Sequence, residues 1–383
     1  MFFKDIPGHA ELKEALIASV KDERIPHAQI IFGRDGSGHL PLTLAYISYI
    51  FCLDRQDGDS CGKCAACLKT HKLIHPDMHF SFPVIGVPSK LRKDVTSNDF
   101  LVQWREQIKE NAYFDMNDWM LRLNSENKQA DINVRECIDI IKKLGLKTFE
   151  SEFKVLLMWM PEYLGKEGNR LLKLIEEPTD NTFIILVARD QEKILNTILS
   201  RCQTTYVGAL PHDEIESYLV HQLGVDGVQA ASIAHLADGS LNRAKHLVEG
   251  DNMDFSAYLL DWLRIAYKGD PVAIKAWVDQ ISSWSKQEQK VFLDYGILFF
   301  RSFIYYLATG KMTESISKKE EETLLKMGSI IDLEKAESLI NIFAEGIDNI
   351  SRNLNSRILF MADTLHIGAL MKSKEKMVTL YKI

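Results

Sequence analysis

Four of the six cysteines stand at Cys52, Cys61, Cys64 and Cys67, a C-x8-C-x2-C-x2-C cluster whose two-residue gaps let neighbouring thiolates converge on one tetrahedral centre. Gly58 and Gly62 supply the bends that carry the backbone around it. Zinc is the expected ion, ahead of another metal or cluster and of free thiols. Disulfides do not suit a reducing compartment, and an iron–sulfur cluster calls for a redox context that this chain lacks. Four thiolates leave no position for a bound water, so the expected role is to hold a fold. His71, His75 and His79 follow closely but are surplus to a saturated ion and read as surface or packing residues. Cys137, on an amphipathic stretch, reads as a small buried apolar group.

A second set of residues has the frame of phosphate chemistry without its working parts. Gly33-Arg34-Asp35-Gly36-Ser37-Gly38-His39-Leu40 follows the spacing G-x-x-x-x-G-K-[ST], between an apolar strand and a helix. The lysine that would reach the β- and γ-phosphates is His39, a shorter group whose unperturbed pKa of about 6.5 leaves it mostly neutral at pH 7. The hydroxyl that would ligate magnesium is Leu40, which offers no oxygen. The same residues also fit an ordinary glycine-rich turn. Hydrolysis needs, in addition, paired carboxylates at the end of a buried strand. Here residues 154–158 form such a strand, and Trp159 and Met160 stand where the acids should be, with Glu162 two residues further on. Both losses predict that ATP is neither tightly bound nor hydrolysed.

These residues need elements to hold them. Helical spacing at Glu11, Leu12, Leu16, Ile17 and Val20 precedes a short strand at 29–32. From Ile132 a helix to Leu144, the strand 154–158, a helix to Glu177 stopped by Pro178 and a strand at 183–188 alternate, which predicts a parallel, doubly wound sheet. Residues 83–130, with Trp104 and Trp119 among scattered charges, read as an insertion with some helix. Residues 208–252 read as a small helical domain punctuated at Pro211, Gly224 and Gly239, and 253–383 as an all-α bundle. The fold class is therefore α/β plus all-α, and 383 residues with 46% hydrophobic side chains suffice for two or three cores. A net charge near −7 argues against a free-standing DNA-coating protein. Lys4 and Asp5 interrupt any signal segment, and the apolar runs 41–53 and 296–300 fall short of the roughly 18 residues of a membrane span. The expectation is a cytoplasmic protein without a membrane helix.

The order of the motifs is recognisable: the loop 33–40, four cysteines directly after its helix, Leu171-Leu172-Lys173-Leu174-Ile175-Glu176-Glu177-Pro178, and Ser200-Arg201-Cys202. The chain resembles the delta-prime branch of the bacterial DNA polymerase III clamp-loader family, AAA+ proteins, over roughly residues 1–250. The resemblance implies an AAA+ domain over 1–207 with an inserted zinc module at about 52–80 and the insertion 83–130, a helical lid over 208–252, and a collar-like oligomerisation bundle over 253–383. It implies a non-hydrolysing subunit that helps gamma/tau ATPase subunits and a delta subunit load a sliding clamp onto primed DNA. Arg201, with Ser200 and Cys202, would be the arginine finger acting in trans on a neighbour's ATP. A permanently charged planar guanidinium suits that role.

Three departures from the family pattern stand out. Asn242 occupies the place of the lid arginine that touches ATP, with Arg243 one residue late; Val187-Ala188-Arg189 lacks the small polar group that reads a γ-phosphate; and the insertion is longer than expected. Two other functions compete with the leading one. In the first, the chain is a weakly active ATPase using His39 and Glu162; in the second, the cysteine module binds nucleic acid. The second is disfavoured by its mixed flank, Lys63, Lys69 and Lys72 against Asp54, Asp57 and Asp59.

Overall fold

The structure, a computed structural model, describes residues 1–56, 58–87, 94–125, 128–249, 255–311 and 330–373. They form two compact units. The first comprises Met1–Ala230 with Ala237–Lys245; the second comprises Ala231–Leu236 with the remainder from His246.

The first unit is built on five parallel strands, β1 (Ala28–Gly33), β2 (Met78–Ser81), β3 (Lys154–Trp159), β4 (Thr182–Ala188) and β5 (Gln203–Val207), in the order β2-β3-β4-β1-β5. Ile31 aligns with Val187 on one side and Thr205 on the other, and Trp159 aligns with Val187. The three central strands are buried along almost their whole length, as a parallel sheet covered on both faces requires. One face carries α1 (Ala10–Lys21) and α2 (His39–Phe51); the other carries α6 (Val134–Leu144) with the short α7 (Leu172–Glu176) and α8 (Asn196–Leu199). Every residue of α2 is buried, as a helix that is apolar but for His39, Thr43 and Ser48 requires, and the two hydroxyls donate to backbone carbonyls inside the helix. Each fully buried Ile or Leu in this core contributes roughly 1.5–3 kcal/mol.

Several sequence expectations change here. Residues 161–177 are not one helix: a 3-10 stretch, Pro161–Leu171, is broken at Gly165 (φ 50°, ψ −137°), and only Leu172–Glu176 is α-helical. Strands β2 and β5 had no counterpart in the sequence reading. The insertion, read from sequence only as a segment with some helix, packs into the core. A bridge between Val84 and Asp131 closes its base, its helices α4 (Leu101–Glu110) and α5 (Met116–Arg122) turn Trp104 and Trp119 inward, and both indoles are fully buried beside Phe82. Between α2 and β2 in sequence lies α3 (Ala65–His71), capped by Cys64.

Helices α9 (His212–Leu223), α10 (Gly227–Ala237) and α11 (Leu241–Glu249) occupy the expected small helical region, but the division between the two units runs through it. The second unit is helical throughout its described residues, with α12 (Phe255–Lys268), α13 (Pro271–Ile281), α14 (Lys286–Thr309), α15 (Leu333–Ser351) and α16 (Ser356–Lys372). Its core stacks Trp262 on Trp277 and Phe343. By length and composition Glu288–Thr309 could cross a membrane, contrary to the short run 296–300 read from sequence. In this unit it buries Phe292, Phe300 and Phe303 in the helical core.

Candidate functional site

β1 delivers Gly33 to the phosphate-type loop, and α2 leaves it at His39. Gly36 (φ 76°) and Gly38 (φ 96°) take the left-handed turns that a side chain would resist. The loop lies directly against the segment 237–245. Leu241 N–H donates to Gly36 O at 2.9 Å, and a Cβ on Gly36 would fall 2.1 Å from Ser240 Oγ and 2.8 Å from Asn242 N.

His39 is 5% exposed, with Nδ1 3.2 Å from Ser37 Oγ. Burial pushes its imidazole down to about 4, against a smaller upward pull from Asp35, so the ring is neutral at physiological pH. Leu40 is buried too.

Beyond the loop lies a cavity of about 900 Å³ lined by Arg34, Asp35, Arg189, Asp190, Ser240 and Arg243, among others. Arg189, at the end of β4, reaches back to Asp35 (Nη1–Oδ2 2.7 Å), and this carboxylate raises the guanidinium's pKa. Glu162 Oε1 accepts hydrogen bonds from the backbone N–H of Arg189 (2.6 Å) and Asp190 (2.8 Å); burial nevertheless raises its pKa. Its oxygen is thus spent on closing the end of β4. Trp159 is 1% exposed, its ring 4.7 Å from Phe114 and 5.5 Å from Trp104, so aromatic carbon fills the place where a carboxylate would polarise water. Met160 is also buried.

The four cysteines converge, all four Sγ atoms lying within 4.8 Å of one another. Cys61 N–H donates to Cys52 Sγ (3.2 Å), Cys64 N–H to Cys61 Sγ (3.3 Å) and Cys67 N–H to Cys64 Sγ (3.4 Å), contacts that favour thiolates. The N–H groups of Cys64 and Lys63 bring the Cys61 thiol down to about 7, whereas burial pushes Cys52 and Cys67 up. Four sulfurs, two of them buried, fit a metal ion that takes the place of the thiol protons. The nearby histidines are engaged elsewhere. His71 stands edge-on to Phe2 at 4.5 Å, and His75 Nδ1 accepts from Asp77 N–H at 3.2 Å.

Arg201 follows α8 and is a third exposed. Nε meets Glu176 Oε1 of α7, and Nη1 donates to Thr197 O (2.8 Å) and Ser200 Oγ (3.2 Å). Cys202 is half-buried, and burial pushes its thiol up to about 11.

Sequence reasoning missed the Asp35–Arg189 and Glu176–Arg201 pairs, and no spacing signal could have found partners 154 and 25 residues apart. It also missed Asn111 and Asp118 of the insertion, which bracket Asn242. Asn111 Nδ2 donates to Asn242 Oδ1 (2.6 Å), and Asn242 Nδ2 donates to Asp118 Oδ2 (2.7 Å).

A parallel sheet in this strand order, with a glycine loop between β1 and α2 and helices on both faces, is consistent with an AAA+-like α/β fold in which the loop has lost its lysine and hydroxyl. The chain belongs to the clamp-loader family described as "DNA polymerase III, delta subunit", which matches residues 8–210, more than half of its length. It is 26% identical over 239 residues to the DNA polymerase III subunit delta' of Escherichia coli strain K12, covering 62% of this chain and 59% of that protein. The corresponding protein of Bacillus subtilis strain 168 is 25% identical over 54% of this chain and 50% of its own. The tau/gamma subunit of Haemophilus influenzae is 22% identical over 64% of this chain and 30% of its own. The chain thus spans about half to three-fifths of the length of the delta' relatives it matches.

Proposed function

We propose that this chain is a delta-prime-type subunit that neither binds ATP tightly nor hydrolyses it. It completes a ring of gamma/tau ATPase and delta subunits that loads a sliding clamp onto primed DNA, and it lends Arg201 to a neighbour's nucleotide. The observation that carries the first half is the state of the phosphate loop. Where a cation would stand there is a buried, neutral His39, and the cavity beyond it holds an internal Asp35–Arg189 pair that a triphosphate would have to break. The alternative with His39 and Glu162 as catalytic groups has little support. The ring is uncharged, and the carboxylate caps two backbone amides.

The second half rests on Arg201. Its guanidinium is partly exposed, and its ion-pair partner among the described residues is Glu176, which is itself about half exposed. Such a pair contributes about 0–1 kcal/mol and can be exchanged for a phosphate oxygen at low cost. The four cysteines would hold zinc, whose positive charge stabilises the thiolates and fixes the module that follows α2. Nucleic-acid binding by that module is less favoured, because Lys69 is already paired with Glu150. A cytoplasmic location follows from this reading.

The test is DNA- and clamp-stimulated ATP hydrolysis by a loader reconstituted with cognate ATPase subunits. Arg201→Ala should leave assembly intact and slow the site it serves by on the order of 10³-fold. An unchanged rate would refute the finger, and turnover by the isolated chain would refute the reading of the loop.

A further inference from the structure

The insertion, the Asn242 departure and the tryptophan at the end of β3 converge on one place. The parts of the chain that meet there are the phosphate loop and the segment 237–245. The two touch through Leu241 N–H to Gly36 O and the close seat of Gly36 against Ser240. What surrounds that contact comes from the insertion. Asn242 is 4% exposed and held on both sides, by Asn111 at 2.6 Å and Asp118 at 2.7 Å. Lys245 Nζ reaches Asn111 Oδ1 at 3.2 Å and lies over the rings of Tyr113 (5.3 Å) and Tyr218 (5.5 Å). Tyr113 in turn borders the loop, its Cε1 3.4 Å from where a Cβ of Gly38 would stand. The insertion residues are anchored from behind by Phe114 and Trp119, whose cluster includes Trp159.

We propose that the insertion is a built-in latch. Through Asn111, Tyr113 and Asp118 it clasps Asn242 and Lys245, and so holds the phosphate loop and the segment 237–245 together without nucleotide. The proposal rests on the non-hydrolysing reading and deepens it by naming what replaces ATP. An asparagine suits the position that an arginine would take toward phosphate. Its amide accepts from one neighbour and donates to the other, so both hydrogen-bonding edges are satisfied inside the chain.

The test is amide hydrogen exchange on the full chain, with Leu241 as the reporter and Leu156 of β3 as the internal control. The variants are Asn242→Ala, Asn111→Ala, the double variant, and the milder Asn111→Ser as insurance against misfolding. The latch predicts about tenfold or faster exchange at Leu241 in each single alanine variant, a double variant little worse than either single, and unchanged exchange at Leu156. In the wild-type chain, Mg·ATP at millimolar concentration should not slow exchange at Leu241. Wild-type protection at Leu241 in the folded variants, or strictly additive effects, would overturn the latch while leaving the lost ATPase untouched. Protection by Mg·ATP in the wild type would overturn the reading of the loop itself.

Discussion

Gly36→Ala is the sharpest test of how closely the loop is packed. The residue sits at φ 76°, and a left-handed non-glycine residue costs about 1–2 kcal/mol. The added methyl would also lie 2.1 Å from Ser240 Oγ and 2.8 Å from Asn242 N. The hydroxyl can swing to another rotamer. The backbone nitrogen cannot, because it belongs to the start of α11, whose Leu241 amide is bonded to Gly36 O. Overpacking of that kind adds about 1–3 kcal/mol, for a total of about 2–5 kcal/mol. At about 2–4 °C per kcal/mol for a unit of this size, the first unit should melt roughly 4–20 °C lower by calorimetry. Gly224→Ala is the control. Gly224 has nearly the same φ, 69°, with nothing within 4 Å of its would-be Cβ, so it should lose only the backbone share. If Gly36→Ala lost no more than Gly224→Ala, the loop would not rest on the segment 237–245 and the argument for a preclosed site would fail.

Metal analysis of the purified chain should give one zinc per molecule, and Cys61→Ser should lower that occupancy. Chelation should expose the module after α2 to protease, since structural zinc binding is folding free energy. In the second unit, burial and then the like charge of Glu345 raise the Asp363 pKa to about 7. A carboxyl whose folded pKa lies above its unfolded value of about 4 costs stability as pH rises between the two. Asp363→Asn should therefore raise the melting temperature at pH 8 by a few degrees, on the order of 1 kcal/mol, and change little at pH 4. An equal effect at both pH values would show that packing, not ionisation, controls this site.

The central sheet was legible because β1, β3 and β4 are buried on both faces and therefore carry continuous apolar runs, at 30–32, 155–159 and 183–188. β2 was not, being only four residues long and containing His79, nor was β5, whose Gln203-Thr204-Thr205-Tyr206-Val207 leaves most side chains exposed at the sheet edge. The cysteine cluster could be read because its ligands are close in sequence and spaced for one centre. The insertion could not. Its aromatic residues follow neither a helical nor a strand period over any useful window, and they meet only in the folded chain, where the Val84–Asp131 bridge closes the segment and Trp104 packs on Trp159 of β3. Asn242 reads as a lost arginine, while its actual partners lie 131 and 124 residues away.

The same geometry says why point reversion should fail. His39→Lys with Leu40→Thr restores the motif by letter, yet both positions lie in buried surroundings shaped for an imidazole and an isobutyl group. The new ammonium would be desolvated unless phosphate arrived to pair with it. Arriving phosphate would have to displace Arg189 from Asp35, with the Asp35 carboxylate left close to the triphosphate. Magnesium would find no carboxylate at Trp159, and Trp159→Asp would place a charge among Phe114, Trp104 and the strands of the core, where an unpaired ion is very costly. Titration calorimetry of the double variant with Mg·ATP should accordingly give no binding tighter than about 100 μM, roughly the 5.5 kcal/mol of a weak, unassisted site. Micromolar binding would mean that the loop needs only its two missing side chains. In that case the Asp35–Arg189 pair and the aromatic cluster would be bystanders, and the proposed loss of ATP binding would trace to His39 and Leu40 alone.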